Sequence, residues 1–380
     1  MKIVHLIYSE AVSGAEKYIK QLLPGLHQYG IHCHLIVVTP QRTSAVFKDF
    51  CDDLEANGVA ALLIVANRLS IFNTAKKINS YLKKNDIRIV HSHLVNSDLI
   101  ATVLKTFFYP HLYLISSKHG YKEPVMLQYQ PGKKINKKDL YYYFTKLTLK
   151  KINQNLAVSH AIADLFINMG FTKEKYPVIH HGVNIVEPFN KEQYTNTCRL
   201  ANPQLIIVGR IETMKGHYYL LEALQELTKH FPEIKLLVIG EGSEKSNLIN
   251  KTKHMGLQKH VQFMGFIPHP YSYINHSDIV VLPSLFEPFG LVYIEAFALQ
   301  KAVVAFDTPA GNEIMENGIT ALMAPKGDSK QLAQKIIYLL NHPEERKKLE
   351  ASAYKKYTSS FTREIMIENT ANWYHSLQIN

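Results

Sequence analysis

The sequence predicts an α/β protein made of two parallel sheets in tandem, each covered by helices on both faces. Three observations carry that reading. Short runs of β-branched and leucine residues are almost continuously apolar, as strands buried on both faces must be. Longer amphipathic stretches separate those runs, and strand–helix alternation implies parallel pairing. The alternation halts at a polar stretch and then restarts, and 380 residues exceed what one hydrophobic core usually serves.

In chain order, strands are expected at Lys2–Tyr8, His32–Val38, Ala60–Val65, Arg88–His91, His111–Ser116, Asn155–Val158 and Val178–His180. Helical periodicity fills Ala15–Tyr29, Ile71–Lys84 and Asp139–Asn153. The first strand is too short an apolar run for a secretory leader, and it meets Ser9-Glu10 rather than a cleavage site. The polar stretch Val186–Pro203, with Pro188, Asn190, Asn196 and Asn202, is the expected linker. A second series follows: Leu205–Val208, Lys235–Ile239, Val261–Phe263, Ile279–Leu282 and Ala302–Phe306. Each half therefore reads as a Rossmann-like domain, residues 1–186 and residues 187–360.

A hydrophobic content of 46% with 20% charged residues suits a soluble globular chain. The net charge of +11 favours anionic partners, such as nucleotide phosphates or an acidic membrane face. Nucleic acid is disfavoured because no recognised binding module accompanies the charge. Cys33, Cys51 and Cys198 are too few and too scattered for a disulfide framework or a structural zinc site. A reducing cytoplasm is the expected setting. No apolar run approaches the roughly 20 residues that span a bilayer, so membrane contact is expected to be peripheral.

Open parallel sheets bind ligands at the carboxyl ends of their strands. After the first strand, Ser13-Gly14-Ala15-Glu16 opens a helix where backbone can approach an anion. It lacks the G-x-G-x-x-G pattern of nicotinamide binding. In the second half, the strand ending at Val208 runs into Gly209-Arg210-Ile211-Glu212-Thr213-Met214-Lys215-Gly216. A guanidinium fork and an ammonium beside two glycines suit a pyrophosphate. Gly240-Glu241-Gly242 follows the next strand in the same way. Taken singly, each is an ordinary turn.

The most informative segment runs Leu282-Pro283-Ser284-Leu285-Phe286-Glu287-Pro288-Phe289-Gly290-Leu291-Val292-Tyr293-Ile294-Glu295. Two glutamates bracket a Pro-Phe-Gly turn between a buried strand and a helix. Glu287 is expected in the loop and Glu295 about two turns into the helix, so that both face one cleft. A carboxylate accepts hydrogen bonds from two neighbouring hydroxyls, which sugars and riboses supply. Free amides near Phe289, Gly290 and Leu291 can meet phosphate.

This segment resembles the E-x7-E signature of the retaining glycosyltransferases of family 4, the group 1 enzymes of GT-B architecture. Other pieces are similar in order and spacing: the Gly14 loop, His91-Ser92-His93, Ser116-Ser117-Lys118-His119-Gly120, Val158-Ser159 and Gly182-Val183-Asn184. So are Arg210, Lys215, Pro309-Ala310-Gly311-Asn312-Glu313 and Asn317-Gly318. The resemblance implies two Rossmann-like domains facing across a cleft, the first completed by a C-terminal helix within residues 361–380. It implies that Arg210 and Lys215 bind a donor diphosphate, Glu287 the transferred sugar and Glu295 the ribose diol. Phe266 would lie near the base, His119 would help hold the sugar, and Gly14 would admit the phosphates. Gly209, Gly240, Ser284, Phe289, Gly290 and Leu291 complete the expected donor site, with Glu287, His119, Arg210 and Lys215 as its catalytic members. There are departures: His181 stands where Asn is frequent, and the Gly14 and Gly311 turns each carry one glycine where two are usual.

The implied reaction is retaining transfer from a nucleotide diphosphate sugar, UDP-sugar first and GDP-sugar second, to a glycan or lipid-linked acceptor in cell-surface polysaccharide or lipopolysaccharide synthesis. No D-x-D triplet for a divalent metal occurs in the sequence, so no metal or other cofactor is expected. The basic stretch Lys118, Lys122, Lys133, Lys134, Lys137, Lys138, Lys146, Lys150 and Lys151, interleaved with Tyr141-Tyr142-Tyr143-Phe144, suits an anionic membrane surface on its inner face. A solvated loop and an ordinary core helix explain it equally well. A UDP-sugar 2-epimerase of the same architecture and a non-catalytic nucleotide-sugar scaffold are the alternatives.

Overall fold

A computed structural model describes residues 1–67, 70–135, 138–185 and 198–379. It divides into two compact units, Met1–Gly182 with Arg363–Asn380, and Val183–Thr362. The polar stretch read as a linker lies largely outside the described residues, which exclude 186–197.

Among the described residues the first unit holds six strands: β1 Lys2–Tyr8, β2 His32–Thr39, β3 Ala60–Val65, β4 Ile89–His93, β5 Tyr113–Lys118 and β6 Gln154–Ala157. They form one parallel sheet in the order β3-β2-β1-β4-β5-β6. Strand order reverses between β1 and β4, where doubly wound sheets open a crevice. Alternation along β1 divides its side chains. Ile3 and Ile7 pack with the helices Gly14–Leu26 and Arg363–Ser376, while Val4, Leu6 and Tyr8 join the opposite core. The expected strand at Val178–His180 is reduced to a single bridge between Val178 and Ala157. It meets only the end of edge strand β6 and so never builds a ladder. The helix expected to reach Asn153 is Leu140–Leu149, capped by the Asp139 carboxylate accepting from Tyr142 N.

The second unit repeats the plan with β7 Gln204–Val208, β8 Lys235–Ile239, β9 Val261–Gly265, β10 Ile279–Leu282, β11 Ala302–Phe306 and β12 Leu322–Ala324. Its order is β12-β11-β10-β7-β8-β9, again all parallel, with the reversal between β7 and β10. The three-residue β12 is absent from the sequence reading because so short a run carries no period of its own. The two parallel sheets with flanking helices match the expected α/β class.

Candidate active site

The reversal in the second sheet sets two loops side by side. One follows β7 and carries Gly209 and Arg210, then the short turn Thr213–Lys215 and the helix His217–His230. The other follows β10, from Pro283 to Gly290, and leads into the helix Leu291–Ala298. Backbone ties them: Leu285 N donates to Met214 O at 2.8 Å. Gly216 has φ +70°, and a Cβ there would lie 1.8 Å from Pro283 O. Only glycine permits that approach. Gly240, at φ +149°, does the same for the ends of β7 and β8, since its Cβ would lie 1.9 Å from Gly209 O.

The closeness of these loops brings side chains together. Lys215 Nζ donates to Glu287 Oε1 at 2.5 Å, and Ser284 Oγ donates to the same oxygen at 2.8 Å. Glu287 is 6% exposed, so its charge needs those partners. Tyr293 lies fully buried; burial, then the nearby Glu287 charge, pushes its phenol well above the ordinary range. Glu295 is also buried and receives the Tyr271 hydroxyl at 3.5 Å. It is the fifth residue of its helix, little more than one turn in rather than two. Gly290, at φ +103°, starts that helix, whose first amides have no helical acceptor. Phe289 is buried below.

The structure thus joins Lys215, Ser284 and Glu287 in direct contact and holds Glu295 buried on the helix that follows. Arg210 is exposed at the end of β7, and Phe266 is exposed just beyond β9. One residue escaped the sequence reading. His217, next to Gly216, is buried with neither ring nitrogen hydrogen-bonded. Burial, then the Lys215 charge, lowers its pKa to about 4. Its only sequence signal was adjacency to the basic turn.

In the first unit, Gly14 is exposed at the start of its helix, where Ser13 N and Oγ both donate to Glu16 Oε2 at 2.8 Å. His119 lies just beyond β5. Its Nε2 meets His93 Nδ1 at 2.9 Å, whereas its Nδ1 is buried without a hydrogen-bond partner. Burial, then Lys118, lowers its pKa to about 3. His5, His91 and His93 bring ligand atoms within 4.8 Å of one another, a spacing that could seat an ion. Yet their nitrogens also engage one another and their neighbours: His5 Nδ1 meets His93 Nε2 at 2.9 Å, and His91 Nε2 meets Ser117 Oγ at 2.7 Å.

Two members of the basic stretch do not belong to a surface patch. Lys118 is buried and donates to Asp98 Oδ2 at 2.7 Å, while Ser92 and Ser116 donate to Asp98 Oδ1 at 2.6 Å. Lys122 is half-buried and paired with Asp139 at 2.7 Å. Lys118 follows the alternation of β5 into the interior, which a charge count cannot reveal. Lys133, Lys134, Lys138, Lys146, Lys150 and Lys151 are exposed, and Lys137 lies outside the described residues. On the helix Leu140–Leu149, Tyr142 is buried, but Leu140, Tyr143, Phe144 and Leu147 are exposed. No helix among the described residues is long and apolar enough to cross a membrane.

Two family models match the chain, Glycosyltransferase Family 4 over residues 12–187 and Glycosyl transferases group 1 over residues 191–356. The chain is 31% identical over 153 residues to an alpha-D-kanosaminyltransferase of Streptomyces kanamyceticus, which is 40% of each protein. It is 28% identical over 246 residues to the capsular polysaccharide biosynthesis glycosyltransferase CapM of Staphylococcus aureus. That match takes in 62% of this chain and 64% of the relative, so the chain spans less than two thirds of the curated relatives' lengths. The solved structure of Anabaena HepE with UDP-glucose superposes with a TM-score of 0.82 at 19% identity, covering 99% of this chain and all of that one. A likeness at that identity establishes the shared two-sheet GT-B fold. With both halves matched in order, the chain belongs to the group 1 glycosyltransferases of family 4.

Proposed function

We propose that the protein is a retaining glycosyltransferase that moves a sugar from a nucleotide diphosphate donor, UDP-linked first and GDP-linked second, without a metal. The observation that carries this reading is the Lys215–Glu287–Ser284 contact at the strand reversal of the second unit. In this reading Arg210 and Lys215 take the diphosphate, and Glu287 accepts from the sugar's hydroxyls. Glu295 accepts from the ribose diol, with Phe266 near the base. Gly209, Gly240 and the amides from Phe289 to Leu291 admit the phosphate oxygens, Gly14 does the same in its own loop, and His119 helps hold the sugar.

The difficult step is departure of the diphosphate from the anomeric carbon. Negative charge grows on the bridging oxygen, and fixed cations and amide dipoles lower that barrier because they need no reorganisation. Glu287 supports the arrangement by holding the Lys215 ammonium in place. Retention is assigned to same-face attack, in which the departing phosphate takes the acceptor's proton. Azide added to Glu287→Gln tests this step: an inverted glycosyl azide would assign a covalent or exposed-cation route instead.

The acceptor proposed is a glycan or lipid-linked saccharide of cell-surface polymer synthesis, reached at an anionic membrane face. Support comes from the exposed stripe Leu140, Tyr143, Phe144 and Leu147, which recurs at helical spacing and follows the exposed Lys133, Lys134 and Lys138 in sequence. Sedimentation with phosphatidylglycerol vesicles should capture the protein, and neutral vesicles should not. Tyr143→Ser with Leu147→Ser should abolish capture. Donor class is tested by thermal shift with UDP-, GDP- and ADP-sugars, since a ligand bound only by the folded state raises Tm. Release of nucleotide that requires an acceptor distinguishes a transferase from an epimerase or a scaffold.

A further inference from the structure

On one face of the first sheet, four imidazoles and a phenol form an unbroken hydrogen-bonded chain. His119 Nε2 meets His93 Nδ1 at 2.9 Å, and His93 Nε2 meets His5 Nδ1 at 2.9 Å. His5 Nε2 faces the Tyr374 hydroxyl at 3.3 Å and Cys33 Sγ at 3.8 Å. That hydroxyl lies closer to His91 Nδ1, and His91 Nε2 ends the chain on Ser117 Oγ at 2.7 Å. Register explains the gathering. His5 on β1 pairs with His91 on β4, and His93 is two residues further along the same face. Tyr374 reaches them from the helix Arg363–Ser376.

All four rings are neutral. Burial lowers the pKa of His5 and of His119 to about 3 and takes His91 and His93 well below the ordinary value. The Tyr374 phenol stays protonated because burial raises its pKa.

A neutral imidazole has one N–H and one lone pair, and a phenol has one proton to donate. Every junction needs one donor and one acceptor, so placing a proton on one ring dictates all the others. Only two arrangements satisfy every junction. In the first, Tyr374 donates to His91, each ring carries its proton on Nε2, and His119 Nδ1 is a bare lone pair. In the second, Tyr374 donates to His5, each ring carries its proton on Nδ1, and His119 holds a buried N–H with no acceptor. Two facts select the first. The phenol is nearer His91 than His5. His119 Nδ1 has no hydrogen-bond partner, and buried orphan donors are rarer than buried orphan acceptors.

We propose that Tyr374, His5 and His93 are positioning residues that lock His119 in its Nε2–H tautomer, so that Nδ1 accepts a hydrogen bond from a hydroxyl of the transferred sugar. The tautomer lock stands on the geometry alone; only its last clause rests on the sugar-binding role proposed for His119.

The test is nitrogen NMR of the full chain with ¹⁵N-labelled histidine, His119 being assigned by the signals lost in His119→Asn. In the unsubstituted protein His119 should carry its proton on Nε2. Tyr374→Phe removes the proton that sets the order, and a readable Nδ1–H fraction should then appear at His119. His5→Phe cuts the chain at its middle and is read in the same way should Tyr374→Phe not fold. An Nδ1–H tautomer in the unsubstituted protein, or an unchanged tautomer in both variants, overturns the lock. So does a metal ion retained on His5, His91 and His93, because ligation uses the same nitrogens.

Turnover of a donor–acceptor pair tests the last clause. Tyr374→Phe should lower it roughly 3- to 10-fold, the worth of one hydrogen bond. The same change in His119→Asn should do nothing further, because an amide oxygen accepts at the Nδ1 position without the chain. A shifted tautomer with unchanged turnover removes the sugar contact and leaves the lock standing.

Discussion

Lys215 and Glu287 lie 72 residues apart in sequence, yet their side chains meet at 2.5 Å. The Lys215 side chain keeps 20% of its surface exposed and that of Glu287 only 8%, so a buried carboxylate is paired with a partly exposed ammonium. Lys215→Ala leaves Glu287 with Ser284 alone and should cost about 1.5–3 kcal/mol of stability, the range for hydrogen bonds to charged groups. Denaturant unfolding would measure it. Glu287→Gln should be milder, because the neutral amide needs no counter-charge, while nucleotide release falls by more than tenfold. Equal stability losses in the two variants would separate the ion pair from the charge argument.

Glu295→Ala removes the buried carboxylate proposed for the ribose diol. Donor affinity should fall roughly 10- to 150-fold, equivalent to about 1.5–3 kcal/mol. Calorimetric titration with the nucleotide diphosphate reads this directly, and unchanged affinity would withdraw the role.

Gly216→Ala should be among the most damaging single-methyl changes in the second unit. The added carbon would sit 1.8 Å from Pro283 O at φ +70°, so backbone itself must move. Strain of that kind costs about 1–3 kcal/mol, and contact relief adds to it. Gly256→Ala has a similar φ of +71° with nothing within 4 Å, so it reports the backbone term alone. Comparing their melting temperatures isolates the clash.

Lys118→Ala strands the buried Asp98 carboxylate with two serine donors. Removing one partner of a buried pair costs about 3–5 kcal/mol. The double variant Lys118→Met with Asp98→Leu should recover much of that loss. A Tm for Lys118→Ala close to that of the unsubstituted protein would show that water reaches Asp98.

The buried histidines make stability fall with pH. In the unfolded chain each ring takes up a proton as pH drops through 6.5, whereas folded His5 and His119 stay neutral to about pH 3. The unfolded state therefore binds more protons, and stability is lost as pH falls from 6.5 toward 3. At pH 5 the loss is about 2 kcal/mol for each such ring. Urea unfolding at pH 7.5 and pH 5 tests it, and His5→Phe should flatten the dependence by about one proton.

Most of the strand–helix order was legible, because buried parallel strands are written as continuous apolar runs. The runs at Lys2–Tyr8, Ala60–Val65, Lys235–Ile239, Ile279–Leu282 and Ala302–Phe306 match the observed strands residue for residue. Val178–His180 was misread because a run of that length has strand propensity but finds a partner for only one residue. The loop after β10 was also legible, since glutamates around a Pro-Phe-Gly turn are a local pattern.

By itself, then, the sequence determined the two-sheet class, the loops that carry chemistry and the residue types available there. Tertiary structure alone decided which of those residues touch. Pairing Lys215 with Glu287 depends on β7 lying beside β10, a neighbour relation set by strand order rather than by spacing. The burial of Lys118 and the His5–His93–His119 chain depend on the pleat and register of adjacent strands. A one-residue slip would send those side chains to the other face, and that register is fixed only when the whole sheet closes on its helices.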